Sequence, residues 1–385
     1  LIGGVAYLRF FRSELAKPRS NYTPFVTIIA PCRGVDEGMG HNLAALIEQD
    51  HPEYEVIFVV DDSNDPAVTV INNIISAAAI QTKLVLAPKA VGSGQKVENL
   101  REAVLHADER SQVFVFVDSD TRPLRTWLRD LTAPLESDNI GAATGYRWFI
   151  SETPTFASEL RSVWNASIAS AMGPNTASNF CWGGSMAIRR DVFERIGMRD
   201  KWLGTLSDDL AMTRALNDAK MPIVFVPQAL TASVENCTWR EMLEFTTRQM
   251  KVTRVYAQPL WLLSFFGSGL FNVVMIAAFL IVVFSSRNSF AVWFSIATVA
   301  LVSVFSIGKA WLRLRAVELV LTGHAAALRR QYLAQNTLWI LTPAVFLFNC
   351  IAALLSRRMT WRGIRYELKS PAETVIISGV TSPRD

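Results

Sequence analysis

The sequence has little cysteine and little histidine, which limits the kinds of site it can carry. Each occurs four times, and the cysteines (Cys32, Cys181, Cys237 and Cys350) are far apart, with no CxxC pair. The histidines match no metal-ligand spacing. This usage is typical of reduced thiols facing a cytosol and argues against a zinc site. No GxxxxGK[ST] stretch is present, which excludes a P-loop nucleotide site.

A marked excess of one charge sign is also missing. The chain has 38 Lys+Arg against 34 Asp+Glu, a formal net charge of +4. This mild excess gives no argument for a nucleic-acid partner, and none is predicted. Several basic residues adjoin apolar runs instead, a pattern that indicates a membrane surface.

Long apolar runs, by contrast, are abundant. Residues 260–284 form an uncharged stretch long enough to cross a bilayer, and 290–307 is a second candidate. A third stretch, 332–355, is interrupted by Pro343 and several polar residues, so we expect a broken, re-entrant or interfacial hairpin there. The apolar start of the chain, followed by the basic RFFR, predicts the trailing end of another membrane helix. Basic residues within 9–19 and after the second run predict a cytosolic location for these segments.

Between about residues 25 and 230, apolar strands alternate with helical stretches. FVTIIAP (25–31), YEVIFVVDD (54–62), KLVLAP (83–88) and VFVFV (113–117) are near-continuous Val/Ile/Phe/Leu runs. Such runs suit strands buried on both faces, and the alternation predicts a mostly parallel α/β sheet. Ligands bind beyond the carboxyl ends of the strands in sheets of this kind.

Acidic residues follow two of these strands. Asp61 and Asp62 end one, and Asp118 and Asp120 follow another, where the i, i+2 spacing places two carboxylates together. A solvated strand end or a helix N-cap would explain either pair alone. Because both pairs fall at one edge of the predicted sheet, a polar site that holds a divalent cation is favoured.

Four further stretches carry polar or glycine residues in suggestive positions. SDDLAM places Asp208 and Asp209 at a helix start, where a capping role is the simple alternative. RQMKV places Arg248 and Lys251 on one helix face before the first long apolar run; a basic face at the membrane surface is the alternative. GSGQK contains Lys96 after a strand, and CWGGS contains Gly183 and Gly184, which a simple turn would also explain.

The order DDSNDPA, GSGQKVENL, DSD, CWGGSMAIRRDVF, SDDLAM, RQMKV resembles the inverting glycosyltransferases of the GT-A fold, and among them the ceramide glucosyltransferases and their bacterial relatives. The resemblance covers most of the chain, from about Pro24 to 360–368. The family's (R/Q)xxRW motif falls on residues 248–252, where Lys251 replaces Arg and Val252 replaces Trp. Lysine cannot form the two parallel hydrogen bonds to a diphosphate that arginine forms. The departure from the motif therefore bears on which acceptor is used and on how efficient the transfer is.

The resemblance implies a role for each matched residue. Asp209 would be the catalytic base, and Asp118 and Asp120 would hold Mg²⁺ or Mn²⁺ on the donor's diphosphate. Asp62, with Asp65 nearby, would contact the nucleotide. The remaining predicted nucleotide-sugar contacts are Lys96, Asp118, Gly183, Gly184, Asp208, Arg248 and Lys251.

Together these features predict an α/β, Rossmann-like GT-A nucleotide-sugar domain followed by transmembrane helices. The expected boundaries are the end of a membrane helix at 1–10, a cytosolic catalytic domain at 20–255, membrane and interfacial helices at 256–356 and a cytosolic tail at 357–385. The expected activity is transfer of a hexose, most simply glucose from UDP-glucose, to a lipid such as ceramide by a multi-pass membrane protein. A processive polysaccharide synthase and a non-catalytic membrane protein of the same fold are the alternatives.

Overall fold

The computed structural model describes residues 2–287 and 289–379. The strands are β1 Val26–Pro31, β2 Tyr54–Val60, β3 Gln81–Leu86, β4 Val113–Phe116, β5 Ala142–Thr144, β6 Arg147–Ile150, β7 Met186–Arg189, β8 Ile223–Phe225, β9 Thr231–Val234, β10 Arg358–Trp361, β11 Ile364–Ser370 and β12 Glu373–Gly379. The helices are α1 Ile2–Leu15, α2 Met39–Ile47, α3 Ala67–Ala77, α4 Gln95–Ala103, α5 Trp127–Thr132, α6 Phe156–Ala169, α7 Arg190–Arg195, α8 Met198–Lys201, α9 Asp208–Asp218, α10 Trp239–Tyr256, α11 Gln258–Phe284, α12 Phe290–Glu318, α13 Ala325–Thr337 and α14 Thr342–Leu355.

The elements fall into two compact units. The sheet unit comprises 13–149, 171–235 and 357–379 of the described residues, and the helical unit comprises 2–12, 150–170 and 236–356.

The sheet unit is built on seven strands in the order β3-β2-β1-β4-β7-β5-β8. Strands β1 to β4 run parallel, as their Val/Ile/Phe-rich sequences predict, whereas β7 runs antiparallel to β4 and β5. Strands β1, β2 and β4 are buried along almost their whole length, and helices α2, α3 and α5 pack on them. Because β1 and β4 are parallel neighbours, the loops that follow them lie at the same edge of the sheet.

The final strands, β10 to β12, form a separate antiparallel sheet within the sheet unit. The sequence of β11 alternates, with Ile364, Tyr366 and Leu368 buried between more exposed residues. This alternation is typical of a sheet that covers a core with one face only. The segment interpreted above as a tail therefore contains ordered strands.

The helical unit contains two helices that are long and apolar enough to cross a membrane, α11 and α12, with hydropathy values of 2.3 and 2.2. Large apolar side chains on them stay exposed, among them Leu263, Phe266 and Phe279, as lipid-facing side chains do. The third apolar stretch is broken: the helices at Thr322–Ile340 and Thr342–Leu355 meet at a bend of 61°. The break precedes Pro343, where the sequence predicts it.

Polar residues of the helical unit bond to each other. Asn349 on α14 accepts hydrogen bonds from the hydroxyls of Thr246 and Thr247 on α10. Arg313 on α12 is buried and donates to Gln335 on α13 at 3.0 Å. These contacts satisfy polar groups that would otherwise be costly beside apolar helices.

Candidate active site

The loop that follows β4 carries the two carboxylates of the DSD stretch. A single guanidinium reaches both: Arg147 Nη2 lies 3.4 Å from Asp118 Oδ2, and Arg147 Nη1 lies 3.4 Å from Asp120 Oδ2. Arg147 begins β6, and its guanidinium also lies 4.8 Å above the indole ring of Trp182. The two aspartates are thus brought together, and a cation neutralises part of their charge.

Lys96 links Asp118 to the SDD stretch. Its Nζ lies 2.7 Å from Asp118 Oδ1 and 3.0 Å from Asp208 Oδ1. The lysine enters from the first turn of α4, and Asp208 is the first residue of α9. Four segments that are distant in sequence therefore meet in one chain of ion pairs, Asp208–Lys96–Asp118–Arg147–Asp120.

Burial and neighbouring charges set the protonation of this cluster. Burial raises the pKa of Asp208 to about 7, although Lys96 opposes the rise. Burial also acts to raise the pKa of Asp118, but Lys96 and Arg147 outweigh it and hold that pKa below its usual range. Burial acts to lower the pKa of Lys96, yet the facing carboxylates raise it. Lys96 therefore stays charged, and Asp208 is the group whose charge changes near neutral pH.

Asp208 and Asp209 lie in different surroundings although they are adjacent. Asp208 is 2% exposed, whereas Asp209 is partly exposed. Asp209 Oδ1 accepts from the hydroxyl of Ser207 and from the backbone N–H of Leu210, and its Oδ2 accepts from the N–H of Gly183 at 3.3 Å. The side chain of Ser207 accepts from the same Leu210 N–H and caps α9. Of the two carboxylates, Asp209 is the one that a ligand in solution can reach.

Contacts within the protein leave no room for a Cβ at Gly183 or Gly184. A Cβ on Gly183 would lie 2.5 Å from Asp208 Oδ2 and 2.6 Å from Lys96 Nζ. A Cβ on Gly184 would collide with the indole of Trp182. Glycine lets this loop approach the ion pairs, and the predicted contact of both glycines with a sugar stays a prediction.

Of the acidic residues after β2, Asp61 and Asp65 make contacts within the protein, whereas the side chain of Asp62 is partly exposed. Asp61 is buried and pairs with Arg33 at 2.6 Å and Lys89 at 2.8 Å. Asp65 accepts from the N–H groups of Gly34 and Ala67 and so fixes two loops. The side chain of Asp62 is 48% exposed, and the N–H of Asn64 together with Lys89 lowers its pKa. Asp62 is therefore the better placed of the two predicted nucleotide ligands.

Arg248 and Lys251 lie on α10 of the helical unit. The guanidinium of Arg248 lies 5.6 Å from the ring centre of Phe245, and burial lowers the pKa of Lys251. One turn further, Arg254 donates to the carbonyls of Ala353 and Leu354 at the end of α14. The predicted roles of Arg248 and Lys251 toward the diphosphate stay predictions.

The residues around Asp118 and Asp120 fit a divalent cation that is held largely by its substrate. Within the described residues, no donor reaches the buried Asp120 Oδ1. The same part of the chain holds no group of three or more His, Cys, Asp or Glu residues arranged as metal ligands. A carboxylate oxygen without a donor, beside a second carboxylate, suits Mg²⁺ or Mn²⁺, which bind through few protein oxygens and the phosphates of a nucleotide.

Three charged residues of the sheet unit, Arg147, Asp36 and Arg362, form ion pairs that the sequence did not predict. The signal for Arg147 is a lone cation inside the apolar stretch YRWFI. Asp36 follows β1 and pairs with both Nη atoms of Arg362, at the turn between β10 and β11. Its partner is 326 residues away, and no local pattern indicates this pairing.

Comparison with known proteins finds a match over nearly the whole chain. The model of the family described as glycosyl transferase family 21 matches residues 2–373. The match confirms the resemblance drawn from the motifs, the GT-A fold class and the enzyme class.

Two solved structures are similar at low identity. One is the mannosyltransferase PcManGT from Pyrobaculum calidifontis in complex with GDP-Man and Mn²⁺, at 19% identity, 92% coverage of this chain, 94% of that chain and a TM-score of 0.45. The other is GalNAc-T7 with UDP, GalNAc and Mn²⁺, at 13% identity, 61% and 48% coverage and a TM-score of 0.45.

Proposed function

The chain belongs to glycosyl transferase family 21, and on that basis we propose that it moves a hexose from a nucleotide sugar to a hydroxyl of a membrane lipid. UDP-glucose would be the simplest donor, and a lipid such as ceramide would be the acceptor. The observation that supports the proposal most is the ion-pair chain Asp208–Lys96–Asp118–Arg147–Asp120 at the carboxyl ends of the strands.

The donor would bind with its diphosphate at this cluster. Asp118 and Asp120 would hold Mg²⁺ or Mn²⁺, which supplies positive charge to the leaving diphosphate. Lys96 and Arg147 carry positive charge at the same place and are fixed by several contacts each, so little reorganisation is needed when charge develops. Asp62, exposed after β2, would contact the nucleotide.

Asp209 would take the proton from the acceptor hydroxyl. The hydroxyl oxygen attacks the anomeric carbon as the bond to the diphosphate breaks, and attack on the opposite face inverts that centre. Partial exposure makes Asp209 accessible to the acceptor, whereas Asp208 is buried against Lys96. Hydrogen bonds from Ser207 and Gly183 orient the carboxylate for proton transfer.

The acceptor would enter from the bilayer at the cytosolic leaflet. Helix α10, with Arg248, Lys251 and Arg254, ends at Tyr256, and the candidate span α11 begins at Gln258. Cations next to a span are attracted to the anionic membrane surface and would keep α10 at the leaflet in which a lipid acceptor lies. A lipid acceptor is therefore consistent with the order of segments along the chain.

The test is donor turnover by the purified chain in detergent. UDP-glucose is incubated with Mn²⁺ or Mg²⁺, with and without ceramide, and released UDP and glycosylated lipid are both measured. We expect metal-dependent UDP release that ceramide accelerates. Absence of turnover with any nucleotide sugar in metal would contradict the proposal, and turnover with long polymer as product would indicate a processive synthase instead.

A further inference from the structure

The C-terminal sheet β10–β12 contributes to the edge of the sheet unit where the ion pairs lie. The hydroxyl of the buried Tyr366 on β11 accepts a hydrogen bond from the backbone N–H of Gln95, the residue before Lys96. The three strands are thus packed against the segment that supplies the central lysine. This arrangement makes the hairpin between β10 and β11 a candidate part of the site.

The turn of this hairpin has an unusual residue. Trp361 and Ile364 are paired across it, and the two residues between them have positive φ angles, 48° at Arg362 and 79° at Gly363. Such two-residue turns favour Asn-Gly or Gly-Gly, because side chains other than those of Asn and Asp are strained there. The left-handed conformation is strained for an arginine, because its Cβ crowds the following carbonyl oxygen. Strain of this kind concentrates at functional sites.

The side chain of Arg362 is fixed by specific contacts. Its two Nη atoms each donate to one oxygen of Asp36, and its carbonyl accepts from Nε of Arg33 at 3.1 Å. Asp36 takes two of the five N–H donors of the guanidinium. The side chain is nevertheless 39% exposed, so part of it borders open space.

Asp36 places this guanidinium near the acidic pair. It lies in the loop after β1, next to the loop after β4, and Asn42 on the following helix donates to the carbonyl of Ser119 at 3.2 Å. Ser119 is the residue between Asp118 and Asp120. Burial acts to lower the pKa of Arg362, but Asp36 and the charges of Asp118 and Asp120 raise it above its usual value. The guanidinium is therefore within electrostatic range of both carboxylates.

We propose that Arg362 binds the diphosphate of the nucleotide-sugar donor, with Asp36 as the residue that positions it. The inference rests on the proposed function and adds a substrate contact from the C-terminal hairpin. A guanidinium held on one side by a carboxylate presents its remaining donors in a fixed plane, which suits phosphate oxygens. When the sugar leaves, the diphosphate gains negative charge, and the same contact stabilises it.

The variant Arg362→Asn tests the contact without weakening the turn, because asparagine is favoured at this position of the hairpin. Arg365→Asn is the matched control: Arg365 is exposed on β11 and lies on the opposite face from the buried Tyr366. Binding of UDP and of UMP to the purified full chain in detergent with Mn²⁺ is measured by calorimetry, and GDP and GMP are measured in parallel. The ratio of the affinities for diphosphate and monophosphate reports the contribution of the second phosphate to binding.

We expect Arg362→Asn to weaken diphosphate binding about tenfold or more and monophosphate binding less than about threefold, as for loss of a charge-assisted contact to one phosphate. Arg365→Asn should change neither. Diphosphate affinity equal to that of the unmodified protein, or an equal loss for both nucleotides, would overturn the role of Arg362 while the proposed function stands. If the unmodified protein binds no nucleoside diphosphate with Mn²⁺, both the role of Arg362 and the proposed donor are wrong.

Discussion

Replacing Lys96 by methionine tests whether the ion-pair chain is the electrostatic centre of the sheet unit. Methionine keeps most of the volume of the lysine stem and removes the charge. The lysine side chain is 13% exposed and faces Asp118 at 2.7 Å and Asp208 at 3.0 Å, with Asp208 only 3% exposed. The substitution leaves both carboxylates in place without their shared cation.

The structure sets the size of the expected effect. Removing one partner of a buried ion pair costs about 3–5 kcal/mol, because the other charge stays buried without compensation. Two features place this case at the lower end. Asp118 keeps Arg147 at 3.4 Å, and Asp208 has a pKa of about 7 and takes up a proton readily. We expect a loss of about 3 kcal/mol in the free energy of unfolding, or about 6–12 °C in Tm for a unit of this size.

The assay is thermal unfolding in detergent and EDTA at pH 8, followed by intrinsic tryptophan fluorescence, to which the buried Trp127 and Trp202 of the sheet unit contribute. Lys369→Met is the control, since Lys369 is 47% exposed and its pair with Glu367 contributes less than about 1 kcal/mol. The double variant Lys96→Met/Asp208→Asn should regain at least about half of the loss, because it removes the uncompensated acid. A Lys96→Met protein with the same Tm as the Lys369→Met control would refute the reasoning.

Three further predictions concern the acids of the site. Asp209→Asn should lower the rate of transfer to lipid by about 10²–10⁴ while UDP binding measured by calorimetry stays near normal, and Asp208→Asn should lower it less; near-normal transfer by Asp209→Asn would move the base to another residue. Asp120→Asn and EDTA should each weaken UDP-sugar binding, and the variant should no longer respond to added Mn²⁺; unchanged binding in both experiments would exclude the metal role. Because the pKa of Asp208 rises from 3.8 to about 7 on folding, its contribution to stability is fully present below about pH 4 and is lost as the pH rises to about 7, by up to about 1.4 kcal/mol per pH unit. Unfolding of Asp208→Asn in EDTA should therefore depend less on pH over this range, and parallel pH profiles would contradict the shift.

The parts of the fold that the sequence predicts correctly are those that local sequence determines. The Val/Ile/Phe runs of β1, β2 and β4 have the composition of strands buried on both faces, and the structure has them in the parallel half of the sheet. The uncharged runs of α11 and α12 are equally local signals, and so is the break before Pro343. Hydrophobic periodicity and length carry these predictions, and neither depends on distant partners.

The two glycines of CWGGS correctly indicate a close approach of the backbone, but the sequence does not identify the group that is approached. A GG pair indicates that the backbone comes close to another group, and the family resemblance implies that this group is the sugar. In the structure, Asp208 and Lys96 lie next to Gly183, and Trp182 lies next to Gly184. The residue type reveals the close approach but not its partner, because the partner is set by tertiary packing.

The same limit makes the arginines of the site less visible in the sequence than its acidic residues. Acids at strand ends share a visible position, since the topology of a parallel sheet collects strand ends at one edge. Arg147 and Arg362 come instead from a short strand and a hairpin turn. In the sequence, Arg147 is a lone cation in an apolar stretch, and Arg362 is one of several basic residues after the last apolar run. Yet two adjacent carboxylates require positive charge nearby when no metal is bound, so their presence already implies such residues without naming them. A predicted acidic pair therefore implies a cationic partner that can be any arginine in an apolar or turn context, including one beyond the last predicted membrane helix.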